Sequence, residues 1–72
     1  MSSLANANAQ AKVIRALRRA GFQDKEGAKH TIMVHADGRY TTVPRHPRIN
    51  PHTLRAILKQ CRISEDEYLR IY

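Results

Sequence analysis

Thr31-Ile32-Met33-Val34-His35-Ala36-Asp37-Gly38-Arg39-Tyr40-Thr41-Thr42-Val43-Pro44 is the stretch that decides the fold. Two runs rich in β-branched and aromatic residues, Thr31 to His35 and Arg39 to Val43, flank Ala36-Asp37-Gly38. An Asp-Gly pair between such runs is a strong short-range hairpin signal. Pro44 has no N–H to give to a sheet ladder and ends the second run. Upstream, Phe22 to about Lys25 supplies a further strand, more weakly marked. Alternation puts Ile32 and Val34 on one face of the sheet and Thr31, Met33 and His35 on the other. Both faces are therefore partly apolar, whereas a sheet covered on one side alternates more cleanly. Either a buried partner on the open face or a bulge would account for this.

Helical signals bracket the strands. Val13, Ile14 and Leu17, with Ala20 or Gly21 beyond, recur at helical spacing on a helix from about Asn8 to Ala20. Gly21 follows a basic last turn, where a left-handed stop is expected. After the loop Pro44-Arg45-His46-Pro47-Arg48-Ile49, Asn50 is a good N-cap and Pro51 occupies the first helical position. Leu54, Ile57, Leu58 and Cys61 form the buried stripe of this second helix. Ser64, with Glu67 three residues later, reads as a capping box opening a short terminal helix that packs through Tyr68, Leu69 and Tyr72. The expected fold is α+β: helix, three-stranded antiparallel sheet, helix and a short C-terminal helix, with the helices on one sheet face.

Seventy-two residues make one domain, 1–72, with residues 1–7 expected to fray. A chain this short buries only about 60% of the surface its unfolded form exposes. Its 42% hydrophobic and 26% charged residues are those of a globular domain rather than a disordered one. Cys61 has no second cysteine to pair with, so a reducing compartment and a buried structural thiol are the natural reading. The N-terminus lacks the basic start and apolar core of a secretory signal, and Ile32-Met33-Val34 is far too short to cross a bilayer. A cytoplasmic protein with no membrane partner is expected.

Thirteen Lys and Arg against six Asp and Glu give a net charge of +7. A small surface this positive attracts phosphate backbones or acidic proteins. Arg39, Arg45, Arg48, Arg55, Lys59 and Arg62 lie in a segment without a single acid. One cysteine and four scattered histidines (His30, His35, His46 and His52) lack the clustered spacing of a zinc site, so no metal is expected. No glycine-rich phosphate loop is present and no serine has a base and orienting carboxylate, so no small-molecule cofactor or serine nucleophile is expected. Histidine plus cationic side chains remains. RNA cleavage needs no protein nucleophile, since the substrate's 2′-OH attacks the adjacent phosphorus. Histidine can move the protons, and Lys and Arg can stabilise the phosphate. Composition alone favours nucleic-acid binding without catalysis; an adaptor for an acidic protein is a further alternative.

The runs Gly21-Phe22, Gly27-Ala28-Lys29-His30-Thr31, His35-Ala36-Asp37-Gly38-Arg39, Val43-Pro44-Arg45-His46, Leu54-Arg55-Ala56-Ile57-Leu58-Lys59-Gln60 and Ile63-Ser64 together resemble the HicA toxin family. Their order and spacing carry the resemblance, which covers the chain from about Val13 onward. It implies a fold like the double-stranded-RNA-binding domain and a toxin of a type II toxin–antitoxin system. It further implies ribosome-independent endonucleolytic cleavage of mRNA, and neutralisation by a HicB-type antitoxin. Aligned backwards from Asp37-Gly38, the family's catalytic histidine falls on His30. Lys29 stands where the family usually has a small residue, and Gly27 is one position further upstream. Lys29, Arg39, Arg45, His46, Arg48, Arg55 and Lys59 are the candidate RNA contacts. His46 can equally brace its loop, and His35 reads as a residue flanking the turn. The alternative function is an RNA-binding module of the same fold that does not cut.

Overall fold

A computed structural model describes residues 4–72. After a 3-10 turn (Leu4–Asn6) come α1 (Gln10–Arg19), β1 (Gln23–Glu26), β2 (His30–Val34), β3 (Tyr40–Pro44), α2 (Pro51–Cys61) and α3 (Glu65–Ile71). The strands form one antiparallel sheet in the order β1-β2-β3. This is the expected α+β arrangement, with element ends shifted by one or two residues. The hairpin is closed by its own backbone. His35 N–H donates to the Arg39 carbonyl at 2.8 Å, and Gly38 N–H returns to the His35 carbonyl at 3.0 Å. Gly38 has φ +99°, so the connection is a three-residue loop ending in a left-handed glycine rather than a two-residue Asp-Gly turn.

Which sheet face is buried is settled by the helices. Thr31 and Met33 on β2 and Thr41 and Val43 on β3 are all buried. Ile32 and Val34 lie half-buried on the opposite, open face. Pairing is continuous from Gln23↔Val34 to Glu26↔Thr31, and from His30↔Pro44 to Val34↔Tyr40, so no bulge interrupts the ladder. The apolar character of both faces is therefore real, with Met33 inward and Ile32 and Val34 outward.

Against that inner face, α1 buries Val13, Ala16 and Leu17, while Ile14 is only partly covered. The helix ends where Gly21 takes φ +100° and donates to the Arg18 carbonyl at 3.0 Å, with Phe22 N–H reaching the Leu17 carbonyl at 3.0 Å. α2 starts as expected: the Asn50 side chain accepts from His52 N–H at 2.8 Å, and Pro51 occupies the first turn. Leu54, Ile57, Leu58 and Cys61 are its buried stripe. Burial pushes the Cys61 thiol up to about 11, which keeps it protonated and unreactive at neutral pH.

Of the segment 1–7 that the sequence leaves to fray, the structure describes residues 4–7. Residues 1–3 lie outside the described residues, but Leu4 and Ala7 are buried in the common core. Contacts remote in sequence hold them there. α3 is capped by Ser64 Oγ, which accepts from Glu67 N–H at 3.1 Å. Its buried Tyr68 donates its hydroxyl to the Ala7 carbonyl at 2.5 Å, and Tyr72 Oη accepts from Ala9 N–H at 3.1 Å. On the other side, Ile49 N–H donates to the Asn8 carbonyl at 2.9 Å and Gln10 N–H to the Pro47 carbonyl at 3.0 Å. Among the described residues, no helix is long and apolar enough to cross a membrane.

Candidate active site at the His30 end of the sheet

The turn joining β1 to β2 sets where His30 stands. Gly27 N–H donates to the His30 carbonyl at 3.0 Å. A Cβ on residue 27 would come within 2.5 Å of that carbonyl oxygen and 3.2 Å of Ile32 Cδ1. The close approach therefore requires glycine, and it fixes the backbone of His30 while leaving the side chain free. Alternation along β2 puts the His30 ring on the open face with Ile32 and Val34. The ring is exposed and makes no hydrogen bond, ion pair or ring contact with the described residues. Lys29 precedes it in the turn, also exposed and unpaired.

Arg45 ties the next loop to this turn. Its Nη2 donates to the Gly27 carbonyl at 2.7 Å and to Glu26 Oε2 at 2.6 Å. The Val43-Pro44-Arg45-His46 segment is thereby drawn against the turn that carries Lys29 and His30. Next to it lies a cleft of about 350 Å³ lined by Gln10, Thr31, Arg45, His46 and Pro47. His46 is exposed there, with no partner among the described residues. The structure thus gathers Lys29, His30, Arg45 and His46 at one end of the sheet, although only Lys29 and the two histidines are unengaged.

The remaining candidate contacts sit elsewhere. Arg39 lies at the far end of the hairpin, where it donates to Asp37 Oδ2 at 2.8 Å and to the Cys61 carbonyl at 2.5 Å. Its guanidinium lies 5.2 Å over the Phe22 ring. These contacts make Arg39 a brace between hairpin, α1 exit and α2. Arg48 donates to Asn8 Oδ1 at 3.0 Å, which fixes the loop to the N-terminal segment. Arg55 reaches Glu65 Oε1 at 3.3 Å, and Lys59 is exposed and unpaired one turn further along α2. His35 is not a surface residue beside the turn. Its ring is mostly covered, edge-on to Phe22 at 5.0 Å, with Nδ1 accepting from Asp37 N–H at 3.1 Å.

The acids are arranged away from the open face. Asp24 pairs with Arg18, which holds its carboxyl below the usual carboxylate range. Asp37 is lowered too, first by the Arg39 N–H and then by the Arg39 side chain. Glu65, Asp66 and Glu67 occupy the first turn of α3, where carboxylates favour the helix dipole. On the open face itself, register places Gln23 and Lys25 of β1, His30, Ile32 and Val34 of β2, and Tyr40, Thr42 and Pro44 of β3. No carboxylate is among them. Nor do any three His, Cys, Asp or Glu side chains among the described residues converge as a metal site would require.

Gln10 and Thr31 in the cleft, and Tyr40 and Arg62 at the opposite edge, were not marked as site residues by sequence reasoning. Gln10 and Thr31 carry no local signal, since only folding joins α1, β2 and the loop. Tyr40 did carry one: alternation from Thr41 and Val43 places it outward with Thr42. A family model described as a HicA toxin of bacterial toxin–antitoxin systems matches residues 11–63. No curated protein matches the chain.

Proposed function

The chain belongs to the HicA toxin family of bacterial toxin–antitoxin systems, and from that premise we propose that it is a metal-independent endoribonuclease that cleaves mRNA in the cytoplasm with His30 as general base or acid. One observation carries the assignment to His30. Its imidazole is exposed and unengaged on a carboxylate-free face, while its backbone is locked by the Gly27 turn. A proton-transferring group needs that combination of fixed origin and free ring. In the reaction, the ribose 2′-OH attacks the adjacent phosphorus, its proton leaves, and the 5′-oxygen departs with a proton. The products are a 2′,3′-cyclic phosphate and a 5′-hydroxyl. His30 takes the first proton or gives the second. Lys29, one residue away and unpaired, offsets charge that develops on the phosphate. Arg45 acts through position: it holds the loop bearing His46 against the turn.

A toxin of this kind works with an antitoxin, and a HicB-type protein with carboxylates facing Lys29 and His30 suits the exposed basic end of the sheet. The deciding experiment is RNA cleavage by purified protein in excess chelator, with His30→Ala alongside. Cleavage by wild type and its loss in the variant support the mechanism. A folded His30→Ala that cuts as fast as wild type removes it. A protein that binds RNA without cutting it is the non-catalytic module instead.

A further inference from the structure

The end of β3 farthest from His30 holds a second feature. A groove of about 830 Å³ lies between the hairpin and the last turn of α2, with Gly38, Tyr40 and Thr42 on one wall and Gln60 and Arg62 on the other. Tyr40 is 65% exposed, the more exposed of two large hydrophobic residues, with Leu69 at 37%, that stand in water among the described residues. Asp37 and Arg39 at the mouth neutralise each other. The Arg62 side chain makes no hydrogen bond or ion pair with the described residues.

The backbone at Arg62 sharpens the point. α2 ends with the same hydrogen bonds as α1: Arg62 N–H to the Lys59 carbonyl at 3.1 Å and Ile63 N–H to the Leu58 carbonyl at 3.0 Å. α1 uses Gly21 for the left-handed residue this motif needs, but α2 uses Arg62 at φ +57°. Glycine is the unstrained choice at such a position. An arginine held there, among the residues lining the groove, is a strained choice.

We propose that Tyr40 and Arg62 form a base-stacking and phosphate-binding subsite for single-stranded RNA running across the open sheet face from His30. The inference rests on the RNA-cleaving reading above and extends it to specificity. His30 and Val34 lie about 13 Å apart along β2, and Tyr40 is the register partner of Val34. A strand cut at His30 reaches Tyr40 only through nucleotides beyond those at the scissile bond. Between the two ends the face offers Ile32, Val34, Thr42 and the unpaired Lys25, with no carboxylate to repel a phosphate backbone. That charge pattern selects a polyanion over an apolar protein surface, and an exposed aromatic stacks any base without needing a duplex.

The test uses the full chain and a cleavage-resistant, 2′-deoxy single strand of about eight nucleotides. Tyr40→Ala should weaken binding roughly 10-fold, and Tyr40→Phe should keep wild-type affinity because the ring is what stacks. Arg62→Gly, which suits the left-handed backbone, should weaken binding and reduce the log–log salt slope by about 0.7. Affinity is read without cleavage, so failure of His30 as catalyst leaves this readout intact. Wild-type affinity in both Tyr40→Ala and Arg62→Gly overturns the subsite. So does a wild type that does not bind the strand. If the two variants lose a co-purified antitoxin while keeping RNA, the groove is a protein-docking surface and the proposal is wrong.

Discussion

His30 and His35 stand five residues apart, one opening β2 and the other just past its end, yet their surroundings differ in every respect. His35 is wedged between Phe22, Gly21 and Asp37; a Cβ on Gly21 would sit 2.9 Å from its Nε2. The His30 ring makes no hydrogen bond, ion pair or ring contact with the described residues, although its carbonyl is gripped by the Gly27 turn. A packed histidine with a bonded Nδ1 contributes to stability. A free one on a fixed backbone contributes little to stability and is available for proton transfer. The same residue type thus separates into a structural and a chemical role by what the fold packs against it.

Substitution at the two histidines should separate these roles most strongly. His30→Ala should cut RNA at least roughly 10²-fold more slowly, as for a lost general acid or base, with an unchanged melting temperature. His30→Gln should be nearly as inactive, because glutamine hydrogen-bonds without titrating. The contrast collapses if single-turnover cleavage by the folded variants equals that of wild type.

Gly27→Ala strikes the backbone half of the comparison. The added methyl meets the His30 carbonyl oxygen, so the turn must open at a cost of about 1–3 kcal/mol, typical of overpacking. Thermal unfolding should show it, and cleavage should fall further than the folded fraction does. Activity that simply tracks the folded fraction would mean the turn does not position His30.

His35→Ala should behave in the opposite way to His30→Ala. It loses the edge-on contact with Phe22, worth about 0.5–1.5 kcal/mol beyond the area it buries, and a bond to the Asp37 amide. The melting temperature should drop while activity per folded molecule holds. A stable but inactive His35→Ala would reverse the two assignments.

The smallest effect is on acid stability. Asp37 titrates below its ordinary value in the folded chain because Arg39 holds its charged form. That contribution is complete above the unfolded carboxylate pKa of about 3.8 and fades as pH falls through the lower folded value. Denaturation curves from pH 5 downward should therefore be flatter for Asp37→Asn than for wild type, with no difference near neutrality in the slope against pH. An identical acid limb in both proteins would show that the hairpin corner gains nothing from this charge.

Several elements were legible because their signals are local. Asn50-Pro51 announces α2, Ser64 with Glu67 announces α3, and Asp37-Gly38 announces the hairpin, each through backbone chemistry that operates within four residues. His30 was reachable only through the family resemblance, since an exposed histidine at a strand end has no distinguishing local pattern. Which of the basic candidates are already engaged within the chain was not legible for a related reason. Charge is visible in sequence, but whether a guanidinium is already spent on a carbonyl is not. Arg39 on the Cys61 carbonyl and Arg45 on the Gly27 carbonyl are bonded across 22 and 18 positions.

The order of elements, their caps and the excess of positive charge follow from the chain's residues alone, because periodicity, turn chemistry and composition act at short range. Tertiary structure alone decided that Met33 rather than Ile32 faces the core, since both alternations are apolar and only the seating of the helices chooses between them. It also fastened Leu4 and Ala7 into the core through Tyr68, sixty-one positions beyond the carbonyl it binds. And it left His30 free while packing His35, a difference that arises from which neighbours the closed sheet brings to each ring.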